Sequence, residues 1–414
     1  MARRAVPIAI FAIVAVTHFL GIITSFDSRW SIPTARSLLY QRNADLDEYA
    51  DLLRANDFYA IERINGHFYS SFPVGASLIA MPVVLVADTL RIRAGDGTIE
   101  KFTASLVTAL TAVLVYLLAR QSLDVAGALF ITFIFAFCTA AWSTASRALW
   151  QHGPSMLTLT LTLWILTLAR RRPWLVQFAG PPLALACVIR PTNAIPAVVL
   201  SAFVLIAHRR RVVPYALWML PIAIPAVGFT LSIYHSVLPP YYAPGKIGHG
   251  GTFATALVGT VASPNRGLFV FSPILLLSVY GAWLKLRRDR DLLDGALVVI
   301  VLLHWLAVAS FPIWWGGHSF GYRLLSDMVP YLVYFLIPVI ARFPALSGPR
   351  RAALTTAVGV LVAISFAINF RGANTRAVYR WNSEPVNVDT VPSRVWDWRD
   401  PQFLRELRPG AARR

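Results

Sequence analysis

Apolar positions in this chain come in long, nearly unbroken runs, and short polar stretches rich in arginine separate them. The runs predict helices over 6–25, 99–119, 124–141, 154–169, 173–189, 194–207, 214–234, 267–285, 292–312, 324–341 and 352–370. Many approach the about 20 residues a helix needs to cross a bilayer. They are too long and continuous for the alternation of an outer-membrane barrel. The stretch 26–98 breaks the pattern, because it is the longest polar passage between apolar runs. It opens on Asp27-Ser-Arg-Trp and carries Asp45, Asp47, Glu48, Asp51, Asp57, Glu62, Arg63 and His67 before Phe72-Pro73 leads into a further apolar segment, 73–90.

Charge decides whether 73–90 crosses. If it stays with the first loop, one side of the membrane collects Arg3-Arg4, Arg120, Arg170-Arg-Arg, Arg209-Arg-Arg, Lys285 with Arg287, Arg288 and Arg290, and Arg342 with Arg350-Arg351. The other side's short connections hold isolated cations such as Arg147, Arg190 and Arg323. Short loops rich in Lys and Arg stay cytoplasmic. If 73–90 crossed, every later arginine cluster would face away from Arg3-Arg4. The expected protein is therefore an all-α, polytopic protein of the plasma (inner) membrane with eleven spanning helices. The segment 73–90 becomes an interfacial or re-entrant helix inside the first external loop, which is tolerable where backbone is buried in protein or lines a cavity. The N-terminus is cytoplasmic, 1–370 is the transmembrane domain, and 371–414 is an extracytoplasmic tail. Trp381, Trp396 and Trp398 place that tail on the membrane surface or over the external loops. The first run exceeds the 7–15 residues of a signal h-region and reads as an uncleaved helix.

Composition agrees: 57% of the 414 residues are hydrophobic and 14% charged. The mean hydropathy is +0.59. The net charge of +18 suggests nucleic acid, but its arginines sit between apolar runs and not along one polar face, so no nucleic-acid partner is expected. Cys138 and Cys187 both lie in apolar runs and offer neither a zinc spacing nor a disulfide framework.

The unusual polar residues then fall on the external side. Asp27 follows the first helix, where a carboxylate has water on one side and a low-dielectric wall on the other; the alternative is a cap for the stretch 28–40. Glu62 and His67, five apart, are either a weak two-ligand metal signal or solvated loop residues. Arg147 and His152 join the third and fourth helices, Arg190-Pro-Thr-Asn193 the fifth and sixth, and His235, Tyr241, Tyr242, Lys246, His249 and Arg266 the seventh and eighth. Trp314-Trp-Gly-Gly-His-Ser-Phe-Gly-Tyr-Arg323, with His318 in it, reads as a tight turn aiming Arg323 at the membrane face. Cations and aromatics on one face suit an anionic headgroup at the membrane boundary. Snorkelling is the alternative for Arg147 and Arg190, and pairing with Asp327 for Arg323. The glycine-rich 245–251 lacks the strand–loop–helix context of a phosphate loop. A transporter or lipid flippase would place ionisable groups at helix centres and show matching halves; His304 is the main such group, and no internal repeat is visible.

This order of features resembles the GT-C glycosyltransferases, such as the protein O-mannosyltransferases, the aminoarabinose transferases of lipid A and related bacterial proteins. Asn65-Gly-His-Phe-Tyr-Ser-Ser-Phe-Pro-Val-Gly, Arg190-Pro-Thr-Asn, Phe271-Ser-Pro, Trp315-Gly-Gly-His-Ser-Phe-Gly-Tyr-Arg and Arg394-Val-Trp-Asp-Trp-Arg-Asp-Pro-Gln-Phe carry the resemblance. It implies transfer of a sugar from a polyprenyl-phosphate carrier to a lipid, glycan or protein acceptor of the cell envelope. Asp27 matches the first-loop carboxylate and is the implied general base of an inverting displacement. Arg323, assisted by Arg147 and Arg190, is implied to meet the donor phosphate; Glu62, His67, His152, Tyr242 and His318 to bind substrate. No cofactor is implied with certainty, and a divalent metal is left open. Two departures stand out. Ser28 follows Asp27 where many members have a second acid, and Ser71-Phe-Pro replaces a Lys-Pro-Pro.

The sidedness has a direct test. Single cysteines placed at positions 45, 93 and 96 are expected to react with an impermeant thiol reagent in intact cells, and one at position 171 only after lysis. Equal labelling of 45 and 171 overturns the assignment.

Overall fold

The computed structural model describes residues 2–242, 252–345 and 347–407. Lys246, His249 and the glycine-rich stretch 245–251 lie outside the described residues. The elements run α1 (Ala2–Leu20), α2 (Ser31–Arg36), α3 (Ala50–Ala55), β1 (Ile61–Ile64), β2 (His67–Ser70), α4 (Gly75–Thr89), α5 (Asp96–Ala119), α6 (Val125–Phe137), α7 (His152–Ala169), α8 (Gly180–Ile189), α9 (Ala194–Ala207) and α10 (Val212–Tyr234). Then follow α11 (Phe253–Ala262), α12 (Leu268–Phe271), α13 (Leu276–Arg288), α14 (Leu292–Ala309), α15 (Val329–Ile340), α16 (Gly348–Asn374) and α17 (Arg376–Arg380). Among the described residues, five helices are long and apolar enough to cross a membrane: Asp96–Ala119, Arg209–Tyr234, Leu292–Ala309, Arg323–Ala345 and Gly348–Asn374. Other apolar helices, Ala5–Leu20 and Val125–Phe137 among them, are shorter. The chain packs as two compact units.

The first unit is Ser25–Ala104 with Ala148–Gly248. Here the mostly helical chain carries an antiparallel hairpin that the sequence reading does not include, with Glu62 opposite Tyr69 and Ile64 opposite His67. Asn65 and Gly66 turn it at φ 52° and 95°. A two-residue turn with both φ positive matches strand twist, and Asn-Gly adopts it readily. Trp30, Leu46, Leu53, Ala60 and Phe68 form the core under the hairpin. The apolar stripe of α4, Ala76, Ala80, Val84 and Ala87, packs on Ile32 and Ala35 of α2. Gly75 lets α4 meet the backbone of α8, because a Cβ there would lie 2.5 Å from the Ile189 Cα. Arg36 pairs with Asp88 at 3.2 Å and Asp96 at 2.5 Å, tying α2 to the end of α4 and the start of α5. Ser28 Oγ donates to Glu100 Oε1 at 2.5 Å. The segment 29–99 thus leaves and returns at one point.

The second unit is Met1–Thr24, Ser105–Arg147 and His249–Arg414. The run 267–285 proves to be two helices, α12 and α13, broken at Ser272-Pro273. Proline has no N–H and blocks a continuous ladder. Side chains of α16 meet the freed groups: Ser365 Oγ accepts from Ile274 N at 3.1 Å, and Asn369 Nδ2 donates to Phe271 O at 3.0 Å. The run 324–341 begins as a 3-10 turn, Arg323–Met328, before α15. Helix α11 falls between predicted runs, and α16 continues past 370 to Asn374. The tail is folded, with Trp381, Val388 and Val395 buried beside Trp314.

Helices α13 and α15 approach so closely that a Cβ on Gly281 would overlap the Phe335 carbonyl oxygen. Gly281→Ala is expected to cost about 1–3 kcal/mol by overpacking. Gly359, in α16, has nothing within 4 Å of its Cβ position. Gly359→Ala is expected to be neutral or to stabilise by about 0.5–1 kcal/mol, since glycine is the poorer helix former. Thermal unfolding of the two variants in detergent separates them.

Candidate functional site

In the first unit the chain turns sharply after Thr24. Asp27 sits half-buried in this turn. Its backbone N–H donates to Ser25 Oγ at 3.1 Å, and its carboxylate accepts from the Tyr59 hydroxyl. Arg29, two residues on, stacks its guanidinium over Trp30 and Phe58 at 5.6 and 5.2 Å. The buried Glu100 holds the turn from beneath. One of its oxygens accepts from Ser28 Oγ and from Leu149 N, the latter at 3.0 Å. The same carboxylate thereby fixes both the Asp27 turn and the segment entering α7.

That segment leads to a polar cluster. Gln151 Oε1 accepts from the Tyr242 hydroxyl at 2.8 Å. His152 Nδ1 and Arg190 Nη1 lie 3.2 Å apart, and both residues are buried. A neutral imidazole nitrogen accepts from the guanidinium at this distance. Arg190 caps α8 in extended conformation, φ −149°, and the Pro191–Asn193 turn behind it is braced by Asn193 Nδ2 donating to Ser155 Oγ at 2.8 Å and Ala186 O at 2.9 Å. Three predicted residues, His152, Arg190 and Tyr242, are thus brought together. Glu100, which holds Leu149 ahead of His152, escapes the sequence reading because it lies in the first turns of a long apolar helix. The signal for it is the one carboxylate inside the predicted run 99–119.

Glu62 and His67 sit diagonally on the hairpin, and His67 Nδ1 meets Asp47 Oδ2 at 2.6 Å. Asp45, Asp47 and His67 bring ligand atoms within 4.8 Å of one another, the one such group of three among the described residues. Asn43 Nδ2 donates to Asp45 at 2.7 Å, and Phe68 N to Asp47 at 3.0 Å. These bonds serve as a latch between hairpin and loop.

The second unit holds the other candidates. Arg147 is fully buried. Its guanidinium donates to His18 O, to Ala373 O at 3.3 Å and to Ser146 Oγ at 2.9 Å. These contacts make it a brace between α1, the segment before α7 and the end of α16. Arg323 is half-buried, with Nη1 3.4 Å from Gly316 O. It lines a small, partly open pocket with Thr260, Arg266, Trp314, Trp315 and Tyr322. The turn before it uses positive φ at Gly316, Gly317 and Gly321, at 74°, 61° and 61°. At Gly321 a Cβ would also lie 2.7 Å from the Phe271 ring. His318 Nε2 lies 2.9 Å from Asn387 Oδ1, and Trp315 Nε1 donates to Asp389 Oδ1 at 2.8 Å, so the tail covers this turn.

The latch is pH-sensitive. Burial pushes Asp47 up, but the Phe68 N–H and His67 outweigh it and hold the carboxyl below its usual 3.8. The hydrogen bond to Asp47, reinforced by its charge, holds His67 above 6.5. The His67 contribution is complete below 6.5 and fades as pH rises through the raised folded value. The Asp47 contribution is complete above 3.8 and fades as pH falls through the depressed one. NMR titration of the His67 ring is expected to give a midpoint above 6.5, falling back toward it in Asp47→Asn.

No protein-family model and no curated protein matches the chain. Solved structures do. ArnT from Cupriavidus metallidurans, bound to undecaprenyl phosphate, superposes with a TM-score of 0.54 at 15% identity, over 90% of this chain and 68% of that one. The oligosaccharyltransferase of Archaeoglobus fulgidus in its apo form gives 0.51 at 10% identity, over 95% of this chain and 60% of the other. The archaeal AglB from the same organism, in complex with an inhibitory peptide and a dolichol-phosphate, gives 0.50 at 11% identity, over 96% and 60%. At these identities the likeness is one of fold.

Proposed function

We propose that the protein is an integral membrane glycosyltransferase that moves a sugar from a polyprenyl-phosphate donor to a lipid, glycan or protein acceptor on the extracytoplasmic face of the plasma membrane. The observation that carries this reading is the placement of Asp27. It is a half-buried carboxylate in a turn that Ser28, Glu100 and Tyr59 hold in place, within a GT-C fold. The acceptor hydroxyl gives its proton to Asp27 as its oxygen bonds to the anomeric carbon. The bond from that carbon to the carrier phosphate breaks, and the phosphate leaves with the electron pair. One base and one displacement invert the configuration.

The phosphate gains charge in this step and needs donors that strengthen with it. Arg190, oriented by His152, and Arg323, lining its pocket, are the cations assigned to it. Arg147 is already bonded to backbone carbonyls and is assigned to bracing. Tyr242 bonds Gln151 beside His152, and Glu62, His67, His152, Tyr242 and His318 are assigned to substrate binding. Eleven spans with α4 interfacial remain part of the proposal. Support comes from the return of 29–99 to its starting point.

Asp27→Asn is expected to remain folded and inserted while losing about 10²–10⁴-fold in transfer of labelled hexose or pentose from polyprenyl phosphate. Transfer at the wild-type rate removes Asp27 from the mechanism. Arg323→Lys is expected to bind donor but turn it over more slowly, because a point charge replaces a two-pronged one. Arg323→Ala is expected to lose both. Wild-type donor binding and turnover in Arg323→Ala places the phosphate elsewhere. A flippase would instead move the labelled carrier across proteoliposomes without releasing its sugar.

A further inference from the structure

The segment after α16 does more than cover the second unit. At Gln402, fully buried, its amide works in both directions on the turn that precedes Arg323. Nε2 donates to Ser319 O at 2.9 Å, and Oε1 accepts from Gly321 N at 3.3 Å, across 83 and 81 residues of sequence. The same Oε1 takes Arg266 Nη1 at 3.0 Å. Arg266, also buried, reaches the same turn at Trp315 O, 2.7 Å, and Gly317 O, 3.1 Å. Asn382 Oδ1 accepts a further Arg266 bond at 2.8 Å, and Asn265 Oδ1 holds the Gln402 backbone N–H at 2.5 Å.

A turn with three glycines at positive φ is poorly held by its own sequence, since glycine brings the greatest backbone freedom. Its carbonyls at 315, 317 and 319 and its N–H at 321 are tied down by two side chains from elsewhere. Arg323 follows directly. Arg266 lines the pocket itself, but Gln402 does not.

We infer that Gln402 is a positioning residue: it fixes the backbone of 315–321 so that the Arg323 guanidinium is held in the pocket in one orientation. The tail is therefore part of the site. This rests on the reading of Arg323 as a phosphate ligand, and the test separates the two claims.

The full-length protein in detergent is compared with Gln402→Ala and with Gln402→Glu. The second keeps the side-chain volume and the acceptors but loses the donor to Ser319 O, so it serves if the alanine variant fails to fold. Hydrogen exchange is expected to rise across 316–323 in both, with α5 and α13 unchanged. In the transfer assay, Gln402→Ala is expected to lower kcat about 10- to 100-fold, as misplacement of a reacting group by about 1 Å does. The KM for donor is expected to change less. In the double variant with Arg323→Ala, the Gln402 substitution is expected to add nothing, because its effect passes through Arg323. Unchanged exchange at 316–323, or losses that add in the double variant, overturns the inference. An Arg323→Ala protein with full transfer refutes the phosphate reading instead, and the exchange data still decide whether Gln402 holds the turn.

Discussion

Wherever a helix breaks in apolar surroundings, its freed N–H and C=O groups must find partners in the protein, because no water is there to take them. Much of this structure follows from that requirement. The break at Ser272-Pro273 is met by Ser365 and Asn369 of α16, and Ser272 itself pairs with Tyr322 at 2.7 Å. The Tyr322 hydroxyl also takes Ala140 N at 3.0 Å, just beyond the end of α6. Arg147 and Arg266 answer the same need on a larger scale, each meeting backbone carbonyls from distant segments. A guanidinium with five donors suits this task, since one side chain reaches several carbonyls at once. In this unit the irregular backbone that carries functional candidates is held by side chains and not by its own ladder.

This explains which parts of the fold were legible from the chain. Apolar runs located most of the helices, because burial or lipid contact demands them along a whole turn. Hydropathy is blind to a lost N–H, so the run 267–285 read as one helix although Pro273 stood in it. The hairpin was readable in principle from Asn65-Gly66, but its strands are four residues each and only partly apolar. Helix α11 lies beyond the glycine-rich stretch and is too short to register as a span.

The site was legible in kind more than in arrangement. His152, Arg190 and Tyr242 were picked out by their positions at helix ends, and the structure brings them together. Arg147 was picked out for the same reason, yet its guanidinium faces carbonyls. One of these, Ala373 O, lies 226 residues away, where no local pattern can announce it. Glu100 and Gln402 were missed for the converse reason. Each looks ordinary beside its neighbours in sequence and is given its role by partners from other elements.

The bond between Ser28 and Glu100 has a consequence for how such a protein can change. With both ends of 29–99 pinned at one carboxylate, the intervening residues form a closed loop hung on a fixed frame. The entropy of closing a loop grows only slowly with its length. Exposed residues between those ends can be exchanged while the packing of α4 on α2 and α8 and the Tyr59 bond to Asp27 are kept. Variation can accumulate there, while the carboxylate that anchors the loop and the turn bearing Asp27 stay where they are.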